Sequence, residues 1–323
     1  MKMDKIPIVM SFDENYAMPA CVTAYSVLRS KAEDTQYSFY FLVHSNVPID
    51  VVERFDKLVE QYPGTKIDFI IIGDKMDIAV IGSHYSVAAY FRLLIPELLF
   101  KLDKCLYIDV DLIVCADLTE LWEYDIGNNV IAGVKNISGG KEQYKKLKLP
   151  TPNQYISSGV LIINLRAIRD EKLIPKLLEL ITEGYKYVDQ DVLNKVCYNR
   201  ILLLPLKYNI YFFRVVDKNI LSKLFPKNEV EEALNNPVII HYPAFVKPWD
   251  TNDDRVQLLC LWYRTALKSP YHYDHSINML KGYKNAELIK ITIDYRVSIE
   301  YRIGQIITFL PKLIKKLILN NME

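Results

Sequence analysis

The chain has 323 residues, 50% hydrophobic and 24% charged, with 40 basic against 39 acidic side chains and a formal net charge of +1. A balanced charge gives no global electrostatic reason to bind nucleic acid, and the length suits two domains or one large α/β domain with an appendage. The N-terminus reaches Asp13 and Glu14 too soon for a secretory signal and no apolar run approaches the ~18 residues of a membrane span, so a cytoplasmic protein is expected, with Cys21, Cys105, Cys115, Cys197 and Cys260 as reduced, core-packed thiols.

In chain order, short β-branched apolar runs alternate with helix-length amphipathic segments, which predicts an α/β layer fold. Residues 6–11 read as a buried strand and 17–31 as a helix. Strand 38–43 and helix 50–62 follow, the helix with Val51, Phe55, Leu58 and Val59 as its apolar positions. Residues 66–72 give a third strand. Residues 88–100 read as a helix interrupted or ended near Pro96. Residues 104–108 read as a strand that runs straight into Asp109, Val110 and Asp111. Later strands are predicted at 130–134, 159–164 and 237–241, and helices at 173–182 and 191–197. After about residue 250 strands stop, and basic and aromatic residues mix with isoleucine.

Asp109 and Asp111 carry the most information. Carboxylates just beyond a buried strand sit at the carboxyl edge of the sheet, where open α/β folds bind ligands. Two aspartates two residues apart can reach one Mg²⁺ or Mn²⁺, cations that require oxygen ligands. Taken alone, the pair also fits a turn or a solvated strand end. His241 follows the apolar run Val238, Ile239, Ile240 and can add a neutral nitrogen ligand. Lys247, six residues on, can place positive charge on a phosphate. A hydrogen-bonded structural histidine is the plainer alternative. Together, Asp109, Asp111 and His241 would leave octahedral positions open for a diphosphate.

These residues lie in a pattern that resembles glycosyltransferase family 8, the LgtC-like and glycogenin-like retaining transferases of GT-A fold, over roughly residues 6–250. Ile8-Val9-Met10-Ser11-Phe12-Asp13-Glu14-Asn15-Tyr16 is similar to that family's first strand and uridine-binding loop. Tyr90-Phe91-Arg92 resembles its Y-x-R helix, and Leu106-Tyr107-Ile108-Asp109-Val110-Asp111 its metal-binding block. Tyr155-Ile156-Ser157-Ser158-Gly159-Val160 resembles the strand that presents the donor sugar. Asp189-Gln190-Asp191-Val192-Leu193-Asn194 matches D-Q-D-x-L-N, and His241 with Lys247-Pro248-Trp249 matches the closing block. Six blocks in this order are specific where any single one is not.

The resemblance implies a GT-A type, Rossmann-like mixed sheet flanked by helices. A catalytic domain would span 1–250, its nucleotide-binding part about 1–115, and a helical, basic-amphipathic extension 251–323. It implies that Ser11, Asp13, Asn15 and Tyr16 bind and enclose the nucleoside, with Val110 in the same donor-binding set. Asp109, Asp111 and His241 would hold Mn²⁺ or Mg²⁺, and Lys247 would meet the diphosphate. Arg92, Asp189 and Gln190 would line the sugar pocket as its catalytic residues, with Ser157 beside them. Plainer roles are also open: Asp13 as a helix N-cap, Arg92 as a buried ion-pair partner, and 189–194 as a capped helix start. Two departures stand out. Ser157 replaces the family's usual asparagine, and Ala244 replaces a glycine that lets backbone approach phosphate.

The implied activity is metal-dependent, retaining transfer of galactose or glucose from a UDP-sugar to a glycan, glycolipid or glycoprotein hydroxyl, in lipopolysaccharide or polysaccharide biosynthesis. A metal-dependent UDP-sugar hydrolase or nucleotidyltransferase, and a non-catalytic UDP-sugar or glycan-binding protein, are the other classes. The segment 136–155 is expected to decide the acceptor. Residues 281–323 hold eight basic side chains against four acidic ones, a net charge of +4. Ile303, Ile306, Ile307, Leu310, Leu313, Ile314, Leu317 and Ile318 recur there at helical spacing, with Lys312, Lys315 and Lys316 off the stripe. That pattern fits a peripheral helix on an anionic membrane surface, or a helix docked on protein.

Overall fold

A computed structural model describes residues 5–76, 86–137, 140–150, 155–211, 218–243, 247–250 and 259–272. The strands, in chain order, are β1 (Ile6–Ser11), β2 (Tyr37–Val43), β3 (Lys66–Ile71), β4 (Lys104–Ile108), β5 (Leu112–Val114), β6 (Ile131–Lys135), β7 (Ile156–Asn164), β8 (Ile201–Leu204), β9 (Ile210–Tyr211) and β10 (Ile239–His241). Seven of them form a mixed sheet in the order β3-β2-β1-β4-β7-β6-β8, and β5-β10-β9 form a second, smaller one.

The chain runs outward from β1 through β2 to β3, then returns to place β4 on the other side of β1, all four parallel. That reversal makes a topological switch point, whose crevice opens at the carboxyl ends of β1 and β4. Ser11 and Asp109 therefore arrive at one edge. β7 is antiparallel to β4, with Ile108 opposite Val160, so the start of β7 lies at the same edge. In the small sheet, β10 pairs antiparallel with β5 and sets His241 opposite Leu112, next to Asp111. Every residue of β1 is buried, as expected of a parallel strand covered on both faces. Phe12, Phe41, Phe55 and Phe69 pack together beneath the crevice, Phe41 and Phe55 at 4.8 Å.

Several elements differ from expectation. The helix expected over 88–100 is a 3-10 stretch, Val87–Leu94, followed by the α-turn Ile95–Leu98. Pro96 lies in the first turn of that α segment, where no amide hydrogen is needed, so it opens the turn instead of ending a helix. The helix expected from 191 begins at Val188 and holds Asp189 and Gln190 inside its first turn. β7 begins three residues before the expected 159, so Ser157 belongs to the strand. The helix expected at 173–182 is Ile174–Glu179 continued by the 3-10 turn Leu180–Glu183. β5, β8 and β9 were not anticipated. Cys21, Cys105 and Cys197 are buried free thiols, whereas Cys115 is half-buried.

The chain divides into two compact units, Met1–Tyr211 with Asp217–His241, and Phe212–Val216 with Tyr242–Glu323. In the second, Trp262 of the helix Leu259–Ala266 is fully buried against Tyr242 and Trp249. Ala244 and the tail 303–319 lie outside the described residues. No helix among the described residues is long and apolar enough to cross a membrane.

Candidate active site

At the switch point, one ligand atom each from Asp109, Asp111 and His241 lies within 4.8 Å of the others. The loop that carries the two aspartates is tied down from the helix Ala17–Ser30. Thr23 Oγ1, fully buried, lies 2.9 Å from the Val110 carbonyl and 2.8 Å from that of Leu112. Ser26 Oγ accepts from the Val114 amide at 2.9 Å, and Ser30 Oγ donates to the Val114 carbonyl at 3.0 Å. Three hydroxyls on one helix face thus satisfy the outer edge of β5, where a further strand would otherwise pair.

Each ligand is also oriented by a neighbour. Asp109 Oδ1 accepts from Arg92 Nη2 at 2.9 Å and from the Tyr107 hydroxyl at 3.1 Å, while Oδ2 lies 3.9 Å from His241 Nε2. Because Tyr107 donates to Asp109, Ser11 Oγ donates to Tyr107 at 2.8 Å. His241 Nδ1 donates to Asn209 Oδ1 at 2.9 Å, which leaves the Nε2 lone pair directed to Asp111 Oδ1 at 3.0 Å. Two lone-pair atoms at that separation call for a cation or a proton. Two carboxylates and an imidazole fit Mn²⁺ or Mg²⁺. Gly159 completes the cradle, since a Cβ there would lie 2.8 Å from His241 Nδ1 and 2.9 Å from Asp109 Oδ2.

Beside the trio stands Arg92, buried, its guanidinium 4.1 Å from the Tyr107 ring centre. It donates through Nη1 to the Ser158 carbonyl at 2.6 Å and through Nε to the Ala89 carbonyl at 2.9 Å. Burial alone would lower its pKa, but the Asp109 and Asp189 carboxylates outweigh that and hold it above the ordinary arginine value. Asp189 Oδ2 lies 3.1 Å from Arg92 Nε, yet the Nε hydrogen is aimed at Ala89, so Oδ2 is paired by charge and receives no hydrogen bond. Burial, opposed by Arg92 and reinforced by Asp109, leaves the Asp189 carboxyl raised to about 6. Asp189 Oδ2 is fully buried, so the Arg92 guanidinium is what balances its charge.

Gln190 half-faces the same space. Its Oε1 accepts from the Ser158 amide at 3.2 Å and its Nε2 donates to the Tyr155 hydroxyl at 2.8 Å. Asn194, one turn along, bonds both the amide and the carbonyl of Ile156 at 2.8 and 2.9 Å and so splices its helix to β7. Ser157 is buried, its Oγ 3.4 Å from the Gly159 amide and hydrogen-bonded to the buried Tyr211 hydroxyl.

Asp13 does cap a helix: its Oδ1 accepts from the Asn15 amide at 3.0 Å at the start of the 3-10 turn Glu14–Tyr16. Ser11 ends β1, and Asp13, Asn15 and Tyr16 follow in the turn after it, at the edge that carries Asp109 and Val110. Lys247 belongs to the second unit, where its ammonium donates to the Tyr242 carbonyl at 3.0 Å. Hydrogen bonds and ion pairs connect Ser11, Arg92, Asp109, Asp111, Asp189, Gln190 and His241 through Tyr107 and Ser158, while Ser157 is bonded to Gly159 and Tyr211. Tyr107, Tyr155, Gly159, Thr23 and Asn209 were not anticipated as site residues. Tyr107, Tyr155 and Gly159 nonetheless lie within the blocks that resemble the family, whereas Thr23 and Asn209 lie in none of them.

The sequence profile of glycosyl transferase family 8 matches residues 7–253. The chain belongs to that family. It is 28% identical over 261 residues to general stress protein A of Bacillus subtilis, covering 78% of this chain and 90% of that one. It is 32% identical over 205 residues to a lipopolysaccharide 1,2-glucosyltransferase of Escherichia coli, covering 61% of this chain and 59% of the relative. Among solved structures, the bifunctional glycosyltransferase WbbM superposes with a TM-score of 0.74 at 27% identity, over 86% of this chain and 52% of that one. The galactosyltransferase LgtC, solved with donor and acceptor sugar analogues, superposes with a TM-score of 0.69 at 23% identity, over 82% and 96%. The mixed sheet is thus a GT-A fold, and this member of the family is a glycosyltransferase.

Proposed function

We propose that this glycosyltransferase is a metal-dependent, retaining enzyme that moves galactose or glucose from a UDP-sugar to a hydroxyl of a glycan, glycolipid or glycoprotein. One observation supports this above others. Asp109, Asp111 and His241 converge at the switch point, one guanidinium away from the buried, undonated Asp189 Oδ2. A diphosphate complements the first half, and a sugar carbon that gains positive charge complements the second.

Asp109, Asp111 and His241 would hold a divalent ion, which would supply positive charge to a departing diphosphate. The chain's own residues do the rest. Asp189 offers negative charge toward the oxocarbenium-like carbon, where positive charge develops. Arg92 fixes Asp189 and Asp109 relative to each other, so the sugar and diphosphate ends are held by one rigid group. Gln190, with its amide spent on Ser158 and Tyr155, presents a fixed dipole beside the reacting carbon. Named relatives act on lipopolysaccharide, the E. coli 1,2-glucosyltransferase and a Salmonella typhimurium 1,3-galactosyltransferase, which supports a glycan or glycolipid acceptor here.

The test is UDP release from UDP-glucose and UDP-galactose, with Mn²⁺, Mg²⁺ or EDTA, with and without a panel of glycan acceptors. Acceptor-stimulated, metal-dependent release with an α-linked product is expected. Equal release without acceptor identifies a hydrolase, and a β-linked product removes the retaining assignment.

A further inference from the structure

The helix Val188–Val196 contains two buried aspartates with different surroundings. Asp189 faces Arg92 and keeps an undonated oxygen, whereas Asp191 is 0% exposed and forms no ion pair with any described residue. Asp191 is instead saturated by neutral donors. Oδ2 accepts from Gln143 Nε2 at 2.7 Å and from the Tyr187 amide at 3.0 Å, and Oδ1 accepts a short bond from the Tyr155 hydroxyl.

Its effect passes outward. Burial, then the Asp191 carboxylate, raise the Tyr155 phenol far above its ordinary value, so its proton stays in place and is donated to Asp191. The Tyr155 oxygen is then left as an acceptor, and among the described residues the Gln190 amide nitrogen donates to it, at 2.8 Å. On the other side of the amide, the Ser158 backbone N–H can only donate, so it requires the Gln190 oxygen, at 3.2 Å. Both ends demand the same flip state. An amide free to rotate would present oxygen or nitrogen to the sugar alternately.

We infer that Asp191 and Tyr155 are positioning residues that lock the Gln190 side-chain amide in one orientation, its nitrogen turned to Tyr155 and its oxygen to β7. This rests on the proposed reading of Gln190 as a wall of the donor-sugar pocket. Gln143 extends the chain of bonds to the helix Gly140–Lys146, in the segment expected to decide the acceptor. The order Gln143, Asp191, Tyr155, Gln190 therefore links that segment to the sugar site through three hydrogen bonds.

The test is a double-mutant cycle on the full chain, with Tyr155→Phe, Gln190→Ala and the pair, reading kcat and KM for the UDP-sugar, UDP affinity with Mn²⁺, and thermal midpoint. Tyr155→Phe removes one oxygen and keeps the ring. Its kcat is expected to fall about 10- to 100-fold, as misplaced catalytic groups do, with UDP affinity within about twofold. In the Gln190→Ala background the same change is expected to cost less than about threefold, since no amide is left to orient. A Tyr155→Phe kcat within twofold of the parent, or an equal loss in both backgrounds, overturns the inference. If Gln190→Ala itself leaves turnover unchanged, the sugar-pocket reading fails first, which is a separate result. Should Tyr155→Phe unfold, Gln143→Met strips one donor from Asp191 from the opposite side. The same collapse in the Gln190→Ala background is then expected, and an equal loss in both backgrounds overturns the inference.

Discussion

At Gly159 the chain has no room for a side chain, because the metal-ligand candidates stand where a Cβ would go. Gly159→Ala places a methyl 2.8 Å from His241 Nδ1 and 2.9 Å from Asp109 Oδ2, with His241 Cε1 closer still. Neither neighbour can give way: His241 is held by Asn209 and Asp109 by Arg92 and Tyr107. Gly159→Ala is therefore expected to weaken Mn²⁺-dependent UDP binding by more than about tenfold, as loss of a ligand's support does, measured by calorimetry on a protein that still unfolds cooperatively. Asp189 sets a second test at this scale. Its carboxyl is raised to about 6, so the charged form needed beside the reacting carbon is lost as pH falls through that value. Below it, kcat is expected to drop about tenfold per pH unit, and the acid limb should vanish in Asp189→Asn, whose residual rate is low and flat. An acid limb that persists in Asp189→Asn assigns the titration elsewhere.

At the scale of elements, the helix Ala17–Ser30 acts as a substitute strand. Thr23→Val keeps the volume but leaves two buried carbonyls, of Val110 and Leu112, without their donor. A loss of about 1–3 kcal/mol is expected from denaturant unfolding, with UDP affinity in Mn²⁺ falling at the same time because the loop between the two aspartates loosens. How far such elements can be read in advance depends on where their partners are. β4 stands where its apolar run predicts, and the strand-end position of Asp109 and Asp111 follows from it. β5 was hidden because Leu112, Ile113 and Val114 continue the same run after two charged residues, and nothing local marks a new sheet. The helix carrying Asp189 begins at Val188, whose φ of +31° is rare for a β-branched side chain, and Tyr187 supplies no side-chain cap, although Asp189 and Asp191 give it an acidic first turn. Thr23 and Asn209 could not be found locally either: Thr23 meets its carbonyl 87 residues away and Asn209 its histidine 32 residues away. The aspartates, the histidine and the D-Q-D helix were legible because their chemistry is unusual for buried positions, whereas their supports are ordinary hydroxyls and amides.

At the scale of the whole molecule, every residue placed in the site precedes position 242, while the basic and apolar periodicity lies in 303–319, outside the described residues. Membrane binding by that segment would combine two contributions. Ile306, Ile307, Leu310, Leu313, Ile314 and Leu317 would bury apolar surface, and Lys312, Lys315 and Lys316 would each add about 1 kcal/mol near anionic lipid. Salt weakens the second and spares the first, so the two can be separated. Full-length protein is expected to co-sediment with vesicles rich in anionic lipid at low salt, to bind less at high salt, and to bind neutral vesicles only weakly. A chain ending near residue 280 keeps the helix Leu259–Ala266 and the whole site, so its UDP-sugar hydrolysis is expected to match the full chain while sedimentation and activity on a lipid-linked acceptor fall. If full-length protein stays in the supernatant at low salt and the shortened chain unfolds, the tail packs on protein and the acceptor is soluble. The charge distribution favours the first outcome: residues 281–323 carry +4 in a chain whose total is +1, so the excess positive charge is concentrated where the apolar stripe lies.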